Sequence, residues 1–248
     1  MTSFDVYLIG LLNQLVGRSW TLDTGLALLQ KTNLLTAELL VSAYWWAWFR
    51  RAEAPTGSRT RETLVASLVG AVLAVGISLI VEQCLPLRPR PIHEPGVLLH
   101  LPLGLSPSDV QRQWSSFPSD HAVMFFALAA GLFIVSRPVG VLAAVYTCVV
   151  TALPRIYLGF HYPTDVVGGA ILGVTVVASV NVPVVRNAIA GPALALATRR
   201  PTIFYAASFL ITLQAATLFI DVGPIARWSI AVASALMRGS SLVTAGGH

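Results

Sequence analysis

The chain has 248 residues, of which 55% are hydrophobic and only 11% charged, against about a quarter charged in an average soluble domain. A mean hydropathy of +0.73 and long apolar runs exclude a disordered, fibrous or disulfide-stapled secreted chain, and point to one membrane-embedded domain over residues 1–248. The net charge is +5, and of sixteen basic residues only Lys31 is not an arginine. That bias suits bidentate oxyanion binding and membrane-edge anchoring, or reflects a GC-rich genome; no nucleic-acid partner is expected.

In chain order, the first expected element is an amphipathic helix. Phe4, Leu8, Leu11, Leu12 and Leu15 recur at helical spacing with Asp5, Asn13 and Gln14 among them, the pattern of a helix lying at the membrane interface. No basic residue precedes Arg18 and no small-residue cleavage site follows, so a secretory signal peptide is not expected. Six apolar runs then approach the roughly 20 residues that cross a bilayer: 34–49, 64–85, 121–136, 139–153, 166–185 and 202–220. The expected fold is an all-α, polytopic helical bundle with about six transmembrane helices. Cys84 and Cys148 lie within or beside these runs and read as small core residues, not as a disulfide or metal pair.

Arg50, Arg51, Arg59 and Arg61 follow the first run, which makes that loop cytoplasmic by the bias of basic residues toward the inside. Alternation places Arg137, Arg186, Arg199 and Arg200 on the same side, with Trp45, Trp46 and Trp48 as an aromatic anchor. It puts residues 86–118 and 154–165 on the opposite, outer face. The long loop 92–116 reads as a lid or as a segment resting on the bilayer, and the apolar stretch 224–238 is left unplaced.

Three polar clusters stand at helix ends on that outer face: Arg88 and Arg90 within Arg-Pro-Arg-Pro, then Pro118-Ser119-Asp120-His121, then Arg155 with His161 and Asp165. Each has an ordinary structural explanation. Terminal arginines anchor head groups, Ser119 is a natural helix cap with Asp120 favourable on the helix dipole, and a His and an Asp four residues apart form interfacial hydrogen bonds. Together, in a chain so poor in charge, they describe a trap for phosphate: converging guanidinium groups and the free N–H groups of a helix start. Two histidines in such a trap can divide phosphoryl transfer, one attacking phosphorus and the other protonating the leaving oxygen, with an acid to orient the attacker.

These residues resemble the three motifs of the type 2 phosphatidic acid phosphatase (PAP2) superfamily, read here as Arg90-Pro91, Pro118-Ser119-Asp120-His121 and Arg155-x5-His161-x3-Asp165, within a core spanning residues 82–165. Asp120 in place of a common Gly, the short turn from Gly159 to Asp165, and the amphipathic start look most like the bacterial undecaprenyl pyrophosphate phosphatases. The resemblance implies His161 as nucleophile, Asp165 holding its other ring nitrogen, and His121 as acid and then base. It also implies Arg88, Arg90, Ser119, Asp120 and Arg155 around the substrate phosphate, with no metal or other cofactor. The implied substrate is a polyprenyl pyrophosphate, or else phosphatidic acid or another lipid monophosphate, cleaved at the outer face of a bacterial inner membrane to recycle a lipid carrier. Two departures stand out: Gln83 occupies the family's usual Lys position, and Pro154 stands where a Ser usually precedes the Arg. Two other classes stay open, an anion transporter using Glu38 and Glu82, and a metal-dependent hydrolase, although no HExxH-type ligand spacing is present.

Overall fold

A computed structural model describes residues 2–32, 34–50, 57–94, 99–102 and 115–218. The basic stretch 51–56, most of the expected lid (95–98 and 103–114) and the C-terminal stretch 224–238 lie outside the described residues. Every regular element among those described is helical.

The centre of the bundle is α5, Asp120–Val135. It is apolar all round, as a helix enclosed by others must be, and Val123, Met124, Phe125, Ala127 and Leu128 are all buried. Around it stand α4 (Gly57–Cys84), α6 (Arg137–Thr147) and α8 (Pro163–Val180). The α6 helix runs on through a π-helical turn, Cys148–Ala152, into the short α7, Leu153–Tyr157. The tightest packing is between α5 and α8, where Gly169 and Gly173 form a G-x-x-x-G pair. A Cβ on Gly169 would lie 2.6 Å from the Ser119 carbonyl oxygen, and one on Gly173 only 2.2 Å from that of Val123. Small residues at this spacing let two helix backbones touch, the usual device for packing where lipid removes the hydrophobic drive.

Three helical stretches are long and apolar enough to cross a membrane: Gly57–Cys84, Arg137–Tyr157 and Pro163–Val180. The other expected spans are shorter helices: α5, α10 (Pro201–Ala216), and α3 (Leu39–Arg50), which a π-helical turn over Leu34–Glu38 precedes. The bundle's outer faces carry apolar side chains such as Leu73, Ile80, Leu142, Ile171, Val174 and Phe209, the reverse of a water-facing surface. Cys84 and Cys148 belong to that exposed surface and not to the core expected for them, because the helix faces that carry them point outward.

One expected loop is a helix. The fifth run ends at Val180, not at residue 185, and α9 (Pro183–Arg199) follows at once, with Pro183 at its start. Arg186 near its beginning lies 3.5 Å from Glu62 at the start of α4. Phe204, just past its end, stacks on Trp48 at 5.4 Å, and both line one small pocket with Leu64. Both ends of α9 therefore sit at the same end of the bundle, so the helix lies across it. Arg186, Arg199 and Arg200 remain together there, with Arg50 and Arg61 stacked on Trp46 and Trp48.

At the other end, α1 (Ser3–Asn13) and α2 (Trp20–Lys31) pack on α7, and α1 also reaches α8. The helix α1 turns its polar residues inward: Asp5, Ile9 and Asn13 are buried while Phe4, Tyr7 and Leu11 are exposed. Asn13 locks its lower end by exchanging two hydrogen bonds of 2.8 Å with the backbone of His100.

Candidate active site

The three motifs meet at the end of the bundle opposite the arginine-rich one, and backbone hydrogen bonds join them. Ile92 N donates to Gly159 O at 2.9 Å, Ser116 N to Arg88 O at 2.9 Å, and Ser119 N to Asp165 O at 3.2 Å. The turn between α7 and α8 depends on Gly159, whose φ of +72° is left-handed and strained for a residue with a Cβ. Two hydrogen bonds to the Arg155 carbonyl, from Phe160 N and His161 N, close that turn and bring His161 back over Arg155.

His161 is 1% exposed. Its Nδ1 lies 2.9 Å from the Ser116 carbonyl oxygen, and its Nε2 lies 3.3 Å from Arg155 Nη1. A carbonyl only accepts and a guanidinium only donates, so the network assigns the proton to Nδ1 and leaves the Nε2 lone pair facing Arg155. Burial, with Arg90 and Arg155 nearby, holds the imidazole well below its ordinary pKa, so the ring is neutral near pH 7 and competent to attack. Asp165, expected on Nδ1, stands 3.8 Å away. Its carboxylate is occupied elsewhere: Oδ2 accepts from Tyr162 N at 2.7 Å and Oδ1 from Arg88 Nη1 at 2.5 Å. The Ser116 carbonyl, which the sequence reading missed, takes the orienting position.

His121 sits in the first turn of α5 with its Nδ1 2.7 Å from Asp120 Oδ1 and its ring edge-on to Phe125. Asp120, expected among the substrate contacts, is thus committed to the neighbouring histidine, which suits a carboxylate better than facing a phosphate.

The arginines divide into two kinds. Arg88, expected to stand in for the missing family Lys, is taken up by protein carboxylates. Besides Asp165 it binds Asp5 at 2.8 Å, and its guanidinium lies 4.3 Å above the Tyr162 ring. Arg90 and Arg155 have no carboxylate within salt-bridge distance among the described residues, and their Nε atoms are buried without a protein acceptor. Ser119 Oγ is likewise buried without a protein partner, so Ser119 does not use its hydroxyl as a cap. Gln83 is exposed at the end of α4, and the residue of that turn reaching the site is Glu82, which accepts from Ser115 N at 2.8 Å. No cluster of three or more His, Cys, Asp or Glu able to hold a metal occurs among the described residues.

Buried donors without acceptors cost roughly 1–3 kcal/mol each. Three such side chains, two of them cationic, gathered near a neutral imidazole lone pair and a second histidine describe a receptor for a tetrahedral oxyanion that the imidazole can attack.

Known proteins resemble the chain over part of its length. The model of the PAP2 superfamily matches residues 63–188, just over half of the 248 residues. A bacitracin transport permease protein, BcrC, of Bacillus licheniformis is 43% identical over 60 residues, 24% of this chain and 29% of that protein. A decaprenylphosphoryl-5-phosphoribose phosphatase of Mycobacterium tuberculosis is 37% identical over 123 residues, 50% of this chain and 62% of that protein. The chain thus matches less than two thirds of the length of these relatives. No solved structure matches it.

Proposed function

The chain belongs to the PAP2 superfamily, and from that premise we propose that it hydrolyses the terminal phosphate of a polyprenyl pyrophosphate, of the undecaprenyl type, through a phosphohistidine. The observation that carries this reading is the set of buried, acceptorless donors on Arg90, Arg155 and Ser119 beside the Nε2 lone pair of His161, which faces Arg155.

In the first step Nε2 bonds to the terminal phosphorus while the bond to the bridging oxygen breaks and its electron pair leaves with that oxygen. His121, held by Asp120, supplies the proton. Arg90 and Arg155 take the non-bridging oxygens, whose charge they stabilise through the transition state. His161 becomes a phosphorylated cation that keeps its Nδ1–H on the Ser116 carbonyl. In the second step His121 removes a proton from water, the oxygen bonds to phosphorus, the N–P bond breaks, and inorganic phosphate leaves. The scheme has no step for a metal, so activity is expected to survive chelation.

The concentration of arginines at the opposite end of the bundle supports a cytoplasmic placement for that end, which opens the site to the periplasmic or exterior face of a bacterial inner membrane. There it would recycle the lipid carrier of envelope synthesis. The name of the Mycobacterium tuberculosis relative supports a second substrate, a polyprenyl-linked sugar phosphate.

The test is phosphate release by purified protein from polyprenyl pyrophosphate, a polyprenyl-linked sugar phosphate, polyprenyl monophosphate and phosphatidic acid, with chelator present. Fastest release from the pyrophosphate is the expected result. Preference for the sugar phosphate or for phosphatidic acid would replace the substrate, and absence of release from all four would overturn the phosphatase reading.

A further inference from the structure

Asp5 lies outside the segment that the PAP2 model matches, residues 63–188, and yet it is 0% exposed in the middle of the site's supporting network. Its Oδ2 accepts from Arg88 Nη2 at 2.8 Å and from the Thr164 hydroxyl at 2.9 Å, and its Oδ1 from Thr164 N at 3.1 Å. Thr2 closes a capping box on the same residue. Burial pushes the Asp5 carboxyl up, but the hydrogen bonds from Thr164 and Thr2 outweigh it and hold the group below its ordinary value, so the side chain is anionic. A buried anion on a helix whose other inward residues are Ile9 and Asn13 is expensive for docking alone.

Arg88 lies between two fully buried carboxylates, Asp5 and Asp165. Burial, and to a smaller extent Asp5, push the Asp165 carboxyl up to about 6, so near pH 7 it is still ionised, and two negative charges and one positive leave this trio with a net charge of −1. Beside it stands His161, whose Nδ1 is 3.8 Å from Asp165. Without Asp5 the Arg88 guanidinium would neutralise Asp165, and nothing negative in the trio would face the imidazole as it becomes cationic.

We propose that Asp5, delivered by the amino-terminal helix, is a positioning residue for phosphoryl transfer: it draws part of Arg88 away from Asp165, so that Arg88 does not fully offset the Asp165 carboxylate facing the His161 cation formed on attack. The proposal rests on the phosphohistidine reading. It makes α1 a working part of the site, and gives Arg88 a role as the strut between α1 and α8 in place of substrate binding.

The test compares the full chain with Asp5→Asn, Asp5→Glu, Asp5→Asn/Arg88→Gln and Asn13→Ala, measuring KM, kcat and the rate of phosphoenzyme labelling in a single turnover. Asp5→Asn should slow labelling and kcat about ten- to a hundredfold, the scale of a misplaced or misbalanced catalytic group, with KM changed by no more than about threefold because ground-state binding is untouched. Asp5→Glu should recover most of the loss. The double variant restores the net charge of −1 and should label faster than Asp5→Asn, whereas a merely structural role makes it slower. Asn13→Ala releases the other end of α1 and should leave kcat near wild type.

Wild-type labelling by Asp5→Asn overturns the proposal, as does a double variant no faster than the single one, or an Asn13→Ala that reproduces the loss. If Asp5→Asn fails to fold, the double variant still decides, read against wild type: labelling within about tenfold supports the charge argument, and a larger loss refutes it. A wild-type enzyme that turns over without labelling would instead refute the phosphohistidine reading itself.

Discussion

Replacing Gly169 by alanine is expected to damage catalysis through the helix contact that aligns the motifs. The added Cβ would lie 2.6 Å from the Ser119 carbonyl oxygen and 3.0 Å from the Ala122 Cβ. A carbon and a carbonyl oxygen settle at about 3.3 Å, so the shortfall is about 0.7 Å. Neither neighbour can rotate away, since one is backbone and the other a Cβ, and α5 and α8 must separate. Ser119 N and Asp165 O, joined at 3.2 Å, lie on the two sides of that separation, and His121 follows Ser119 by two residues. A displacement of 1 Å at a reacting group costs about a hundredfold, which scales to a loss of about ten- to thirtyfold in kcat, with roughly 1–3 kcal/mol of stability lost to overpacking. Gly173→Ala, whose Cβ would lie 2.2 Å from Val123 O, should destabilise more. The assay is lipid phosphatase kinetics and thermal unfolding beside Gly76→Ala, where a Cβ meets nothing within 4 Å. Full kcat in Gly169→Ala would show that the α5–α8 contact does not set the alignment.

Radiolabelled substrate with an alkaline quench should label wild type, label His121→Ala as much or more, and leave His161→Ala unlabelled with turnover down several orders of magnitude; label in His161→Ala would move the nucleophile elsewhere. In the proposed mechanism His161 attacks as the neutral ring, and burial with Arg90 and Arg155 holds its pKa well below 6.5, so kcat/KM in wild type should not lose a His161 limb until the pH is well below that value. Arg90→Gln removes one charge that opposes protonation, so its acid limb should move up toward 6.5; a limb that stays or moves down contradicts the assignment, and the substrate's own ionisation cancels in the comparison. Ser58→Cys should resist an impermeant thiol reagent added outside intact cells, and its labelling would reverse the topology.

The helical bundle and the meeting of the three motifs were legible in the sequence, because apolar runs and rare polar residues are one-dimensional signals. What was not legible depended on which face of a helix turned inward. In α1 the apolar spacing of Phe4, Leu11 and Leu15 marked a face turned to the membrane, and these side chains do face outward, but nothing in the spacing showed that Asp5 on the other side would enter the site's network. The run 166–185 concealed a break because Val182, Val184 and Val185 are as apolar as the span; Pro183 was the available signal, since proline is favoured in a first helical turn. The Gly169 and Gly173 pair was present as a four-residue spacing and could have located the α5–α8 contact. Ser116 had no signal at all, because it acts on His161 through its backbone carbonyl, which every residue type possesses.

The division of the arginines shows why composition alone could not assign the phosphate ligands. Arg88 and Arg90 are two residues apart in a Pro-rich segment and look equivalent, yet their guanidinium groups meet different partners. One meets Asp5 and Asp165, and the other enters the pocket, where its Nε finds no protein acceptor. An arginine already bound by two carboxylates has little charge left for a phosphate, whereas one buried without an acceptor gains most from a ligand that brings oxygens. Under the proposed mechanism the expected phosphate ligands are therefore the arginines that lack a carboxylate, and Arg155, which shares that feature and lies 3.3 Å from His161 Nε2, would hold the phosphoryl group as the bond to histidine forms.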